Sequence, residues 1–285
     1  MPQSVSSLQN PRIKNVVKLN NRRQRDAQQQ TVVEGVREVS RALRCHILPV
    51  EAYICPPLVI GDEATAVTQQ LYRLEETSQT RLYEVTPAVF AKMAYRGQSG
   101  GILMVIPYLT RPLNDIPLSP TPFLVVIEGG EKPGNLGAIL RTADAAGVDG
   151  VIISEDATRH GTDIHNPNAV RASLGALFSV PVAVAATDAV IDWLRRQHIH
   201  VAITTPDATE VYTSANLTDP IAIVMGSEAH GLSDAWFDAA DVQLTIPMFG
   251  LVDSLNLSVA TAVILYEVIR QREGQPSKKP SLTPA

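Results

Sequence analysis

Polar side chains surround the start of one C-terminal helix in a pattern that could hold a ligand. The segment 246–263 reads IPMFGLVDSLNLSVATAV, and Asp253, Ser254, Asn256 and Ser258 lie around the beginning of an otherwise apolar helix. A single serine or aspartate is sufficient to cap a helix. Four polar groups at one helix start therefore indicate either a bound ligand or a buried polar network.

Two earlier blocks have a similar composition. In NLGAILRTADAAG (135–147), Asn135 is well placed as an N-cap, Arg141 lies off the apolar stripe of the helix, and Gly147 is placed to end it. A capped surface helix with an exposed arginine would also explain this block. In MGSEAHGL (225–232) a glycine at 226 permits close approach of backbone to a ligand. A simple strand–glycine turn is the alternative there.

All three blocks follow strand-like apolar runs, and two of them open directly into a helix. Ligands bind α/β sheets where strand ends meet helix starts, so we expect three loops to converge on one site. The sequence contains neither the GxxxxGK[ST] phosphate loop nor the GxGxxG dinucleotide fingerprint. A nucleotide-triphosphate enzyme or a typical dehydrogenase is therefore disfavoured.

The alternation of strand-like and helix-like segments predicts two α/β domains. Residues 1–108 form the first domain, and four prolines make 109–122 a predicted linker. Residues 123–272 contain six strands that are apolar almost throughout, which predicts a parallel sheet buried on both faces. The polar tail 273–285 is predicted to be disordered.

Charge is distributed unevenly along the 285 residues, whose net charge is −5. Residues 1–44 carry nine Lys/Arg against three Asp/Glu, a net +6, which leaves −11 on the remainder. A basic arm on an acidic body is typical of nucleic-acid binding, although a solvated basic surface without a partner is the alternative. The candidate phosphate-binding residues are Arg12, Lys14, Lys18, Arg22, Arg23 and Arg25.

Other classes of protein fit the sequence poorly. No apolar run reaches the roughly 18–20 residues of a membrane span, and the first residues lack a signal-peptide type of apolar segment. Cys45 and Cys55 have no CxxC spacing and no nearby histidine pair, so neither a disulfide framework nor a metal site is predicted. These features favour a cytoplasmic protein without membrane association.

Taken together, the blocks resemble the SpoU (TrmH-like) RNA ribose methyltransferases of the SPOUT superfamily. The pattern is N-x-G-x-x-x-R-x-A-x-x-x-G at 135–147, G-x-E-x-x-G-L at 226–232 and I-P-M…S-L-N-x-S at 246–258. The N-terminal part is similar to the substrate-binding domain that often precedes such enzymes. The resemblance implies a small N-terminal α/β/α sandwich and a C-terminal α/β SPOUT domain with a trefoil knot.

The resemblance also implies an activity, which is S-adenosylmethionine-dependent 2′-O-methylation of a ribose in RNA. Ribosomal RNA is favoured over transfer RNA, because the basic arm resembles those of enzymes acting on ribosomal RNA. A non-catalytic RNA-binding or ribosome-assembly protein of the same fold is the alternative from a different class. The resemblance implies no metal or redox cofactor.

The same resemblance implies roles for individual residues. The implied catalytic residues are Asn135, Arg141, Glu228, Ser254 and Asn256. The implied S-adenosylmethionine contacts are Thr204, Gly226, Ile246, Pro247, Met248 and Leu255. The family assigns the motif arginine as a general base, but a guanidinium is always protonated, so fixing a phosphate and stabilising alkoxide charge is the easier role for Arg141.

Family members are homodimers that associate through the C-terminal domain. The resemblance therefore implies a homodimer here, with the final helix at the interface. An aliphatic face formed by Val259, Val263, Tyr266 and Ile269 suits that packing.

Overall fold

The computed structural model describes residues 2–95, 99–129, 132–156, 161–227 and 230–272. These residues divide into two compact units. The N-terminal unit comprises residues 1–109 together with the later segment 163–179, and the C-terminal unit comprises the rest of the described chain.

The N-terminal unit is built on a five-stranded mixed sheet in the order β1-β4-β3-β5-β2. The strands are β1 (Gln3–Val5), β2 (Gln30–Glu34), β3 (Glu51–Ile54), β4 (Arg81–Val85) and β5 (Ile102–Pro107). The helices are α1 (Pro11–Lys18), α2 (Arg22–Gln28), α3 (Val36–Arg44), α4 (Asp62–Glu76), α5 (Pro87–Met93), α7 (Pro167–Ala172) and α8 (Ala176–Ser179).

Helices cover both faces of this sheet. α1 packs with α5, and α3 packs with α4. Tyr53, Tyr83 and Leu103 belong to the core beneath α1 and α5, and their buried neighbours along the strands, such as Ala52 and Leu82, point to the opposite face because successive strand side chains alternate. The N-terminal unit is thus the α/β sandwich that the resemblance implies.

The C-terminal unit contains an eight-stranded sheet in the order β11-β13-β10-β12-β7-β8-β9-β6, in which every pairing is parallel. The strands are β6 (Thr110–Arg111), β7 (Phe123–Glu128), β8 (Gly150–Glu155), β9 (Val182–Ala186), β10 (His200–Thr204), β11 (Glu210–Val211), β12 (Ile221–Gly226) and β13 (Val242–Thr245). The helices are α6 (Pro133–Ala146), α9 (Thr187–Arg196), α10 (Asp234–Ala239) and α11 (Leu257–Arg272).

The centre of this sheet is buried on both faces, as the apolar strands predict. All six residues of β7 are buried, and so are the first five of β12. One core cluster contains Leu124, Val126 and Ile152 from the strands and Trp193 from α9. The α/β class with a parallel C-terminal sheet is therefore confirmed, while the trefoil knot stays a prediction.

The units differ from the sequence-based boundaries in two places. The proline-rich segment 109–122 contributes β6 to the sheet, where it pairs with β9, and its Ile116 is buried in the core of the C-terminal unit. The segment 163–179, expected in the C-terminal domain, belongs to the N-terminal unit. The strand was not predicted because it is only two residues long, Thr110–Arg111, and is followed directly by Pro112.

The tail 273–285 lies outside the described residues. Within the part of the chain that the structure describes, no helix is both long enough and apolar enough to cross a membrane.

Candidate functional site

A cleft of about 690 Å³ opens at the carboxyl ends of β10 and β12. The segment between β13 and α11 forms another of its walls. It brings together all six residues implied to contact S-adenosylmethionine, together with Ser254 and Asn256 from the implied catalytic set. Two of the three sequence blocks therefore converge here, as expected for strand ends in a parallel sheet.

The cleft has a narrow wall that only glycine can form. A Cβ atom at Gly226 would lie 2.4 Å from the carbonyl carbon of Gly231 and 2.6 Å from the backbone nitrogen of Leu232. Both neighbours are backbone atoms, which cannot swing aside as a side chain could. β12 therefore ends in glycine because the returning chain passes directly against it.

A side-chain hydrogen bond joins the third sequence block, 246–263, to the first, 135–147. Asn256 Oδ1 accepts hydrogen bonds from the backbone N–H of Ser258 (3.1 Å) and from its hydroxyl (2.6 Å), as a helix cap does at the start of α11. Its Nδ2 donates to Asn135 Oδ1 at 3.1 Å. Asn256 thus caps α11 with its side-chain oxygen and links α11 to α6 with its side-chain nitrogen.

Asn135 is not the N-cap that the sequence suggests. α6 begins two residues earlier at Pro133, with Lys132 at the cap position, because proline is favoured in the first turn of a helix. Asn135 therefore lies within the first turn of α6, where its side chain accepts the hydrogen bond from Asn256. The predicted end of the helix is confirmed, since Gly147 has the left-handed conformation (φ 72°).

The remaining implied catalytic residues are placed differently. Arg141 lies exposed on α6 and is not among the residues that line the cleft. Ser254 is exposed, with its hydroxyl 3.5 Å from Asp253 Oδ1. Glu228 lies outside the described residues.

Sequence reasoning missed several residues of the site. Thr205 and Ser227 line the cleft as well, whereas Asp253, which also lines it, was already among the polar groups singled out at the start of the last helix. Glu128, at the end of β7, is completely buried, and it accepts hydrogen bonds from Ser233. The available indication was an acidic residue ending an apolar strand, since a carboxylate buried in such a place needs donors.

The cleft suits a nucleoside-containing ligand such as S-adenosylmethionine. Thr204 Oγ1 is buried and has no hydrogen-bond partner among the described residues, so it can bond a polar atom of a ligand. Pro247 and Met248 supply apolar surface for a flat ring. Because Gly226 has no side chain, the backbone of Gly231 and Leu232 can lie directly against it and form the wall of the cleft. Among the described residues no group of three or more His, Cys, Asp or Glu could hold a metal ion.

The predicted RNA-binding residues of the N-terminal unit fall into two groups. Lys14, Lys18, Arg22 and Arg23 are exposed on α1 and α2, and Lys18 and Arg23 border the same shallow cavity at the corner between these helices. Arg12 is instead paired with Glu51, and its guanidinium lies 5.0 Å from the centre of the Tyr83 ring. It is therefore partly engaged within the protein.

Arg25 is the exception, and its predicted role is corrected. It is only 1% exposed, forms an ion pair with Asp163, and donates a hydrogen bond to the Leu19 carbonyl (2.8 Å). A buried, paired guanidinium cannot reach a phosphate without breaking these bonds. Arg25 therefore anchors the segment 163–179 within the N-terminal unit.

An aromatic pair lies beside this ion pair. The rings of Tyr108 and His165 stack with centroids 3.6 Å apart, and the Leu109 N–H donates to His165 Nε2 at 2.9 Å. Burial, with the nearby charge of Arg25 as a second cause, lowers the pKa of His165 to about 3. A neutral ring is consistent with Nε2 acting as an acceptor.

The C-terminal unit is a parallel α/β unit with a nucleoside-type cleft at its strand ends, and the N-terminal unit displays basic helices. Together these features define a class of cofactor-dependent enzymes acting on nucleic acid. Comparison with protein families gives the class its name. Residues 122–266 match the SpoU rRNA Methylase family, and residues 10–104 match the MRM3-like substrate binding domain. The chain belongs to the SpoU rRNA methylase family.

Individual relatives agree with this assignment. The chain is 30% identical over 261 residues to a 23S rRNA (uridine(2479)-2'-O)-methyltransferase of Streptomyces viridochromogenes, covering 89% of this chain and 87% of the relative. It is 42% identical over 153 residues to the 23S rRNA (guanosine-2'-O-)-methyltransferase RlmB of Photorhabdus laumondii, covering 53% of this chain and 61% of that protein. An AdoMet-bound rRNA methyltransferase from Sinorhizobium meliloti superposes with a TM-score of 0.84 at 28% identity, covering 94% and 97% of the two chains.

Proposed function

We propose that this protein transfers the methyl group of S-adenosylmethionine to a ribose 2′-hydroxyl of ribosomal RNA. The observation that best supports the proposal is the hydrogen bond between Asn256 and Asn135. It joins the wall of the nucleoside-type cleft to α6, the helix that carries Arg141. This bond therefore connects the residues that would contact the cofactor to the helix whose Arg141 would contact the RNA.

The cofactor would be held by residues that the cleft already brings together. Backbone atoms of Gly226, Ile246 and Leu255 would contact it, and Thr204, Pro247 and Met248 would surround the adenine. When bound, S-adenosylmethionine supplies an electrophilic methyl group. The exclusion of water by these apolar walls would strengthen every polar contact in the cleft.

The chain's own residues would act on the RNA. Arg141 would hold a phosphate with two N–H donors and would stabilise negative charge developing on the 2′-oxygen. A permanently protonated guanidinium is suited to that role and not to accepting the proton. Asn135, held by Asn256, would orient the ribose, with Ser254 and Glu228 completing the proposed set.

RNA affinity would come from the basic helices of the N-terminal unit. Lys14, Lys18, Arg22 and Arg23 are exposed there, and phosphate contacts of this kind position an RNA without reading its sequence. Relatives named for 23S rRNA make that molecule the first to test. A cytoplasmic location is part of the proposal, and it is supported by the bacterial origin of the relatives named for 23S rRNA.

A homodimer is also part of the proposal. The loop between Met248 and Asp253 is bordered on both sides by residues of the cleft, yet Phe249 is 97% exposed and Leu251 is fully exposed. Val259 and Tyr266 on α11 are half-exposed as well. Large apolar side chains exposed to this extent are typical of a protein interface, and a second copy would cover them.

The proposed function is tested by mapping 2′-O-methyl groups in ribosomal RNA from cells with and without this protein. Purified protein is then incubated with the unmodified RNA and labelled S-adenosylmethionine. Methylation of one ribose that is missing without the protein supports the proposal. Label found only in transfer RNA would show that transfer RNA is the substrate. RNA binding without any methylation would favour a non-catalytic assembly protein.

A further inference from the structure

We propose that Glu128 is a positioning residue that sets the width of the cofactor cleft through Ser233. The inference rests on the proposed function. Glu128 is not among the residues that line the cleft, so any effect on the cofactor must pass through another residue. Ser233 is the residue that it holds.

The contact is a two-pronged hydrogen bond to a carboxylate without solvent access. Glu128 Oε2 accepts the backbone N–H of Ser233 at 2.7 Å, and Oε1 accepts its hydroxyl at 2.6 Å. Glu128 is 0% exposed. Hydrogen bonds to a charged acceptor are stronger than neutral ones, and two of them fix both the position and the orientation of Ser233.

The Ser233 side chain bonds Glu128 and does not cap its own helix. It occupies the N-cap position of α10, where a serine oxygen usually accepts a backbone N–H of the first turn, but it makes no such bond. Its side chain is bonded to Glu128, 105 residues away in the sequence. A serine needed only to begin α10 would use its side chain as a cap.

The position of Ser233 controls the backbone that borders the cleft. Gly231 and Leu232 immediately precede it, and these are the two residues whose backbone passes against Gly226. Gly226 itself pairs with Glu128 across the neighbouring strands β12 and β7. Glu128 therefore constrains both partners of this contact. It constrains Gly226 through strand pairing and the backbone of Gly231 and Leu232 through Ser233. Gly226 and Gly231 both line the cleft, so its width there depends on the carboxylate.

The same strand offers a matched control at its opposite end. Asp149 accepts the backbone N–H of Phe123, the first residue of β7, at 2.8 Å and the hydroxyl of Ser119 at 2.9 Å. The bond types are the same as at Glu128, but neither Asp149 nor Ser119 lines the cleft. Ser119→Ala thus removes an equivalent serine–carboxylate bond away from the cofactor.

The experiment measures the dissociation constant of S-adenosylhomocysteine by calorimetry and the two KM values in the methylation assay. Ser233→Ala is expected to raise the dissociation constant and the KM for S-adenosylmethionine about tenfold, the effect of one hydrogen bond to a charged group. The KM for RNA should not change. Ser233→Thr, which keeps the hydroxyl, should restore wild-type values within about twofold.

A double-mutant cycle tests whether Glu128 acts through this serine. Glu128→Gln has one acceptor oxygen in place of two and should weaken cofactor binding at least as much as Ser233→Ala. The double variant Glu128→Gln/Ser233→Ala should lose less affinity than the sum of the two single losses, because both changes weaken the same two-bond contact. Ser119→Ala should lower the melting temperature without changing either cofactor constant.

Two outcomes separate this inference from the proposed function. If Ser233→Ala lowers only the melting temperature, as Ser119→Ala does, the contact is merely structural and the inference is overturned. If the wild-type protein neither binds S-adenosylhomocysteine nor methylates RNA, the proposed function fails first.

Discussion

Asn256 Nδ2 and Asn135 Oδ1 lie 3.1 Å apart and join the start of α11 to the first turn of α6, across 121 residues of sequence. One amide thereby serves two elements, since the Asn256 oxygen caps α11 and its nitrogen holds Asn135. A change that keeps the first bond and removes the second separates structure from activity.

Asn256→Asp makes that separation. Aspartate caps helices as well as asparagine does, so α11 should keep its start. The carboxylate cannot donate to Asn135 Oδ1, so the present hydrogen bond is removed, and the Asn135 amide could bond the carboxylate only by turning over and presenting its nitrogen in place of its oxygen. We expect kcat to fall about tenfold with little change in melting temperature.

The control for this change is Ser258→Ala, which removes one bond to the same Asn256 oxygen without affecting Asn135. Its kcat should stay within about twofold of wild type. An Asn256→Asp enzyme with normal kcat would show that the link to α6 has no part in the reaction.

Arg141→Lys should reduce kcat/KM at least about 100-fold, because a lysine ammonium cannot make two parallel hydrogen bonds to a phosphate. Arg141 is exposed, so the melting temperature should not change. Single-turnover methylation measures the effect. Arg195→Lys, at an exposed position of α9, is the matched control. Near-full turnover by Arg141→Lys would remove this residue from the mechanism.

Gly226→Ala should prevent cofactor binding, since its Cβ would meet backbone atoms at 2.4–2.7 Å. The added methyl group would force apart the wall formed with Gly231. Calorimetry with S-adenosylhomocysteine is the measurement. Gly134→Ala, where the new Cβ has nothing within 4 Å, should bind as the wild type does. Equal affinity in the two variants would contradict the assignment of this wall to the cofactor.

The salt dependence of RNA binding should distinguish exposed from buried arginines. Neutralising Lys14, Lys18 and Arg23 to glutamine should make the slope of log affinity against log salt less steep by about 2.1–2.7, since each of the three phosphate contacts contributes about 0.7–0.9. Arg25→Gln should leave the slope unchanged and lower the melting temperature. A reduced slope for Arg25→Gln alone would restore its predicted RNA contact.

The N-terminal unit should lose stability as the pH falls. The folded state lowers the pKa of His165 to about 3, whereas a histidine in an unfolded chain titrates near 6.5. Between these values only the unfolded chain takes up the proton, so folding is favoured fully above about pH 6.5 and progressively less below it. The slope should reach up to about 1.4 kcal/mol per pH unit.

Denaturant unfolding at several pH values measures this slope. His165→Gln should flatten it, because glutamine can accept the Leu109 N–H without titrating. The exposed His198 provides a control, and His198→Asn should leave the slope as it is. A wild-type slope of zero between pH 6.5 and 4 would contradict a neutral, buried His165.

The features that could be predicted from the sequence are those that depend on near neighbours. Gly147 ends α6 in the left-handed conformation, as its position in the sequence predicts, because the end of a helix is set locally. The strands of the parallel sheet were visible because burial on both faces demands apolar residues throughout. The cleft followed from the same pattern, since parallel strands end at one edge.

The features that were missed depend on partners distant in the sequence. Arg25 looks like its basic neighbours, and only its pairing with Asp163, 138 residues later, removes it from the surface. Ile116 lies between prolines and gives no local sign of its burial. The N-cap role predicted for Asn135 was an adequate local explanation, but the helix begins earlier at Pro133, and the Asn135 side chain accepts a hydrogen bond from the distant Asn256.

The composite nature of the N-terminal unit has a consequence for protein synthesis. Residues 1–109 leave the ribosome before Asp163 and His165 exist, so the guanidinium of Arg25 and the hydroxyl of Thr31 must wait for partners encoded later. At about 5–20 residues per second the delay is several seconds. A nascent chain in that interval lacks the carboxylate that pairs with Arg25, and a gene truncated after residue 109 would make that state permanent.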